Sequence, residues 1–301
     1  MSVLRRSLQT LGQNLFPFET PLTRGEQLYF RLFELLIALC SLRLAWQWSD
    51  YVQRVERVLK PQGIGHYLDV SFVLGSQTAY VLTAVLALCL LLGITRRSPF
   101  GYGAALAIMH VLYVARHSQG KASHVAHCIG LSLLALTLGA ALFRRSSELF
   151  QRFVLGSLIF FFGLSYVLAG ICKLRYTGLG WPNGSHLVLW IAERELDSRA
   201  ALGSFAPNML QRLILEHPQL GTLTLAFGLA TELLAFFVWF ERFRPWMFTG
   251  LIAMHVGIGV TMNIYFTYNV TLLVLIGYPW WRLIDWVLRR VSDSSAEPVL
   301  H

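Results

Sequence analysis

Long apolar runs separated by short polar breaks set the rhythm of this 301-residue chain. Eight stretches, near 27–47, 77–94, 100–116, 122–143, 153–173, 221–240, 246–264 and 269–288, stay apolar over helical lengths and predict α-helices. Their lengths lie close to the ~20 residues that cross a hydrocarbon core. The expected fold class is therefore all-α, a polytopic transmembrane helical bundle of about eight spans. The breaks carry the residues that end helices: "TRRSPFG" and "ERFRPW" place arginines and a proline at junctions, while "RHSQGK" and "KLRYTGLG" cut off apolar runs.

Two connecting segments are too long to be turns. "DYVQRVERVLKPQGIGHYLDVSF" and "HLVLWIAERELDSRAALGSFAPNMLQRLILEH" mix charges with apolar residues at helical spacing, the pattern of interfacial helices in two outer loops. A packed lid over the bundle and a lid that gates a substrate both fit. The expected organisation is a cytoplasmic N-terminal segment over 1–26, one transmembrane domain over 27–288 and a flexible C-terminal tail over 289–301. Arg5 and Arg6 are followed by no apolar core before "ETPLTRGEQ", so no cleavable signal peptide is expected and the first span serves as the insertion signal.

Composition agrees with this pattern. With 55% hydrophobic residues, 14% charged residues and a mean hydropathy of +0.54, the chain has more apolar surface than a soluble domain of its length needs to hide. The net charge of +9 does not indicate nucleic acid, because the basic residues cluster between apolar runs: Arg96-Arg97, Arg144-Arg145, Arg242 with Arg244, and Arg289-Arg290. Such clusters are a topology signal and predict both termini in the cytoplasm of a multi-pass protein of the cell membrane, the inner membrane in a bacterium. Balanced charge between Leu174 and Leu220 suits the opposite side, which puts Lys173 at the outer end of the fifth helix. Cys40, Cys89, Cys128 and Cys172 have no C-x-x-C spacing and read as small hydrophobes.

The polar residues inside apolar runs are the candidates for chemistry, since hydrocarbon excludes such groups unless they are used. They are His110, His124, His127, Lys173, Glu232, His255 and Asn263. Each alone is also explained as a hydrogen-bonded packing residue; several on different helices can converge on one cavity. His124 and His127, one turn apart in "SHVAHCIGL", project from one helical face. With His110, His117 and His255 they supply imidazoles enough for iron, zinc or haem, but paired i, i+4 spacings are missing and Glu232 is the one strong intramembrane carboxylate, so no metal or haem is expected.

At a sheltered cavity rim, desolvation favours the neutral amine of Lys173, which then accepts a proton from an acidic partner. Snorkelling to the interface is the competing role, and Arg175 is the better candidate for it. Glu232, near the middle of its run, must be protonated or paired, with Lys173 and His255 as the cationic candidates. Asn263 offers a donor and an acceptor to a ligand carbonyl or a neighbouring backbone.

At "YVLAGICKL" followed by "GWPNG", the sequence resembles the vitamin K-dependent gamma-carboxylases and their bacterial relatives, the horizontally transferred transmembrane (HTTM) domain proteins. Tyr166, Ala169, Gly170, Lys173, Leu174, Trp181 and Gly184 stand at the positions of that motif. "TELLAFFVWFERFRPWMFTGLIAMHVGIGVTMNIYFTYNV" is similar to the family's later helix pair, and "SHVAHCIGLSLLAL" more weakly to its histidine-bearing fourth helix. The resemblance runs over roughly residues 25–290. It implies a membrane cavity for a reduced, vitamin K-like quinone, with Lys173 as the base that starts its oxidation by oxygen. The catalytic candidates are then Lys173, His124 and Glu232; His127, His255, Asn263, Trp181, Tyr166 and His110 are the ligand-binding candidates.

Two departures limit what transfers. Cys172 stands where the motif has its other lysine, and no large soluble domain for a propeptide and glutamate substrate is expected after the eighth span. A peptide substrate or soluble partner would act in trans, with membrane lipid as the constant partner and nucleic acid not expected. The alternative function is a non-catalytic membrane module for maturation, export or immunity of a partner peptide.

Overall fold

The computed structural model describes residues 3–58, 60–118 and 126–294. Among these residues it is all-α, with no strand. Twelve α-helices follow in order: α1 (Val3–Leu15), α2 (Arg24–Val52), α3 (Thr78–Ile94), α4 (Gly101–His117), α5 (His127–Leu142), α6 (Ser147–Thr177), α7 (Gly184–Leu202), α8 (Met209–Glu216), α9 (Pro218–Leu233), α10 (Arg244–Met262), α11 (Thr267–Gly277) and α12 (Trp280–Ser294). Helix starts follow local chemistry. Thr23 and Glu26 close a reciprocal capping box at the head of α2, and Asn208 with Gln211 does the same for α8.

A helix runs through each of the eight apolar stretches, yet the expectation of eight spans is corrected. Among the described residues, only Ser147–Gly180 and α10 are long and apolar enough to cross a membrane, with a third span if α11 and the start of α12 form one broken crossing. Length and charge are the reasons. The helices α3 and α4 have 17 residues and α5 and α9 have 16, short of the ~20 that a bilayer core requires. The long α2 carries Arg31, Glu34 and Arg43. The first long connecting segment also departs from expectation. Among its described residues it holds only the end of α2 and two 3-10 turns, Gly63–His66 and Ser71–Val73, where Pro61 lacks an N–H and Gly63 has φ +52°. The second long connecting segment is helical, as α7 and α8.

The chain divides into two compact units. One contains the described residues of Phe16–Leu158 and Pro279–His301. Its core is built from Phe30, Phe33 and Ile37 of α2, Leu86 and Leu90 of α3, Leu112 of α4, and Ile129, Leu133 and Leu136 of α5, all almost fully buried. Here α3 and α4 touch backbone to backbone: a Cβ on Gly101 would lie 2.6 Å from the Cys89 carbonyl oxygen, so only glycine fits. The buried Ser49 and Thr83 hydroxyls join α2 to α3 at 2.9 Å, and Asp285 of α12 accepts the Gly25 N–H at 2.7 Å.

The other unit contains the described residues of Met1–Leu15 and Ile159–Tyr278. Leu187 and Ile191 of α7, Ile214 of α8 and Leu225 of α9 form a buried cluster there. Gly184 lets the start of α7 press on the Pro218 carbonyl, and its N–H donates to Thr222 Oγ1 at 2.9 Å. Outward faces remain apolar: Leu28, Leu32, Leu35 and Leu39 of α2 and Val81, Val85 and Leu88 of α3 are exposed at helical spacing.

Candidate functional site

The site grows from one stripe of α6. Tyr166, Gly170 and Lys173 fall at i, i+4 and i+7, so they share a face. Gly170, the middle member, has no side chain to hold a neighbour away. A Cβ there would lie 3.0 Å from Leu233 Cδ2 and 3.3 Å from Glu232 Cβ, so the bare backbone lets α9 come close. One turn further along α6, Lys173 Nζ reaches Glu232 Oε1 at 2.5 Å and Oε2 at 2.6 Å. The lysine side chain keeps 31% of its surface exposed and the glutamate only 7%, so the cation is the accessible member of the pair.

The indole of Trp181 lies below that cation, with Nζ 4.5 Å from the ring centre. The loop after α6 positions it: the Gly178–Gly180 turn follows the helix, Gly178 adopts φ +67°, and the Trp181 carbonyl is engaged by His186 Nδ1 at 3.0 Å. Two turns down α6, Tyr166 Oη and His255 Nε2 of α10 are 2.6 Å apart. His255 is buried, and its ring centre lies 4.9 Å from that of Phe266. Its Nδ1 has no hydrogen-bond partner among the described residues. Whichever tautomer holds, one buried polar atom of that ring is left without a partner among the described residues.

Lys173, Glu232 and Trp181 therefore meet, as do Tyr166 and His255, all within one unit. Asn263 is exposed and ends α10 in the left-handed region at φ +54°, its N–H donating to the Gly259 carbonyl at 3.0 Å. His124 lies outside the described residues. His110, His117 and His127 gather around Tyr113 in the other unit, with His127 Nε2 3.3 Å from the tyrosine hydroxyl. No group of three or more His, Cys, Asp or Glu among the described residues is placed to share a metal.

One buried carboxylate escaped the sequence reading. Glu34 of α2 is 1% exposed, which corrects the expectation that Glu232 is the one strong carboxylate inside the apolar runs. It pairs with Arg31 at 3.1 Å and Arg96 at 2.6 Å and accepts the Tyr102 hydroxyl at 2.6 Å. The available signal was Arg31, one turn before Glu34 within an apolar run. Neither Phe266 nor His186 carries any such signal.

No family model matches the chain, and no match is found among curated proteins or solved structures.

Proposed function

We propose that this is a membrane-embedded protein that binds a quinol-like, lipid-soluble phenol beside Lys173 and draws a proton from it. The observation that carries this reading is the Lys173–Glu232 pair, half-open at its cationic end and faced by an indole, on a helix apolar enough to cross a membrane. The residues fit the ligand: Trp181 and Phe266 supply flat apolar faces, and the unpartnered His255 Nδ1 supplies a polar contact for a hydroxyl.

Glu232 alters the chemistry expected of Lys173. A carboxylate in contact stabilises the ammonium, so desolvation alone does not leave a free amine. The working base is instead the pair. When the proton sits on Glu232, Nζ is a neutral amine that accepts the phenolic proton, and the ammonium then faces the phenolate. Trp181 steadies that ammonium once it has formed. Tyr166 holds the His255 ring so that Nδ1 stays directed to the ligand. The quinol, when bound, supplies the acidic O–H and the two electrons of its oxidation, and dioxygen is the acceptor of those electrons. Resemblance to the carboxylase-like family over "YVLAGICKL" and "GWPNG" supports the same assignment.

A second reading has its own observation. Both carboxylate oxygens lie within 2.6 Å of one nitrogen, as in a static fastener between α6 and α9. On that reading the chain is a non-catalytic module that serves a partner peptide. Solvent extraction of the purified protein separates the two: a quinone recovered near one per chain supports the first, and extracts free of quinone, with no binding of added quinol, support the second.

A further inference from the structure

The unit built on α2–α5 holds a cavity of about 280 Å³ that the quinol reading does not use. Arg31, Arg96, Arg144 and Arg145 line it, together with Ser98, Ser147 and the rings of Phe143 and Phe150, and no carboxylate is among the lining residues. Arg96 of one arginine cluster and both members of another, read in sequence only as topology signals, thus line one space. The cavity has the room of roughly nine water molecules.

The four arginines are not equivalent. Arg31 and Arg96 are held in place by buried Glu34, Arg31 also donates to the Ile94 carbonyl at 3.0 Å, and the Arg96 guanidinium lies 4.2 Å from the Phe150 ring centre. Arg96 adopts φ +59°, a left-handed conformation that a non-glycine residue holds only when its surroundings fix it. Arg144 and Arg145, in contrast, have no carboxylate partner among the described residues. Glu34 therefore offsets part of the positive charge and leaves that of Arg144 and Arg145 uncompensated. Several guanidinium groups, serine hydroxyls and aromatic rings lining one space are a receptor for a phosphate ester with an apolar attachment.

We propose that this cavity is a binding site for a phosphate monoester dianion, gripped by Arg144 and Arg145 against the Glu34-braced Arg31 and Arg96. Such an anion comes from a phospholipid headgroup or from a soluble phosphate compound, and the experiment tells them apart.

The test is native mass spectrometry of the full chain in detergent, titrated with dioleoyl phosphatidic acid or dioleoyl phosphatidylcholine. One phosphatidic acid per chain, bound at least about tenfold more tightly than phosphatidylcholine, is expected. The exposed arginines contribute about fivefold each, so Arg144→Ala with Arg145→Ala weakens binding roughly 25-fold. Arg289→Ala with Arg290→Ala removes equal charge from α12, away from the cavity lining, and leaves binding within about twofold. Displacement of the lipid by inorganic phosphate, with the same dependence on Arg144 and Arg145, assigns the site to a soluble phosphate; resistance to it assigns the site to the lipid headgroup. Equal affinity for the two lipids, or equal loss in the two double variants, overturns the proposal.

Discussion

Lys173 Nζ touches both carboxylate oxygens of Glu232, a residue 59 positions further along the chain, at 2.5 and 2.6 Å. This contact ties α6 to α9 and makes a formally neutral centre from two groups that apolar surroundings tolerate poorly alone. It also makes the two side chains inseparable in any mutational test.

Lys173→Ala therefore destabilises the protein as well as affecting any chemistry, because it strands a carboxylate only 7% exposed. Removing one member of a buried pair costs about 3–5 kcal/mol, and the partial exposure of the lysine places this case near 3. The double variant Lys173→Met with Glu232→Leu recovers most of that loss by replacing charge with apolar volume. Unfolding of the full chain in detergent checks both values; an unchanged stability for Lys173→Ala would mean that the carboxylate is not held by this contact.

Glycine substitutions separate contacts that can yield from those that cannot. The methyl of Gly170→Ala meets the end of the flexible Leu233 side chain, so the expected cost is under about 1 kcal/mol. At Gly184 the methyl meets the backbone carbonyl of Pro218, which cannot turn away, and the expected cost is about 3 kcal/mol. Thermal unfolding of the two variants gives the order; similar losses would contradict the close α7–α9 approach.

Much of the helical architecture was legible in the hydropathy pattern, because breakers such as "TRRSPFG" and "ERFRPW" end α3 and precede α10 where helices must stop. Membrane crossing was less legible. Apolar runs show where helices form, but whether a 16-residue helix such as α5 reaches across a bilayer depends on its length after capping and on what packs against it. At the site, the cost of an unpaired acid limited Glu232 to two cationic partners, and the fold selects Lys173. The Tyr166–His255 contact was not legible, since both residues were visible but nothing in sequence fixes how far α10 is turned toward α6. Glu34 had a signal in Arg31, one turn earlier, but its other partner, Arg96, lies on a distant part of the chain that nothing in the sequence brings near.

The Glu34 network gives a third test. Tyr102→Phe removes one hydrogen bond to a buried carboxylate and is expected to cost about 1.5–3 kcal/mol. Glu34→Gln leaves Arg31 and Arg96 without their shared counter-charge and costs more, about 3 kcal/mol. The double variant loses less than the sum, because the two residues share one network. Strict additivity in unfolding measurements would show that they act independently.

Asn263 offers a fourth, which distinguishes a helix cap from a ligand contact. Its φ of +54° suits glycine, so Asn263→Gly keeps stability within about 0.5 kcal/mol and Asn263→Val loses about 1–2 kcal/mol. Quinol binding unchanged in Asn263→Gly leaves the residue as a cap alone, whereas a loss of binding without loss of stability gives it a ligand contact.

The decisive measurement is the rate at which dioxygen oxidises quinol in the presence of the full chain in lipid nanodiscs, compared between the unsubstituted protein and the Lys173→Met, Glu232→Leu double variant once their stabilities are shown to match. A proton-accepting pair predicts turnover in the first and a loss of at least about a hundredfold in the second, the scale of a lost general base. Equal rates in the two, or no turnover and no quinol binding in either, would contradict it and leave the pair as a fastener between helices.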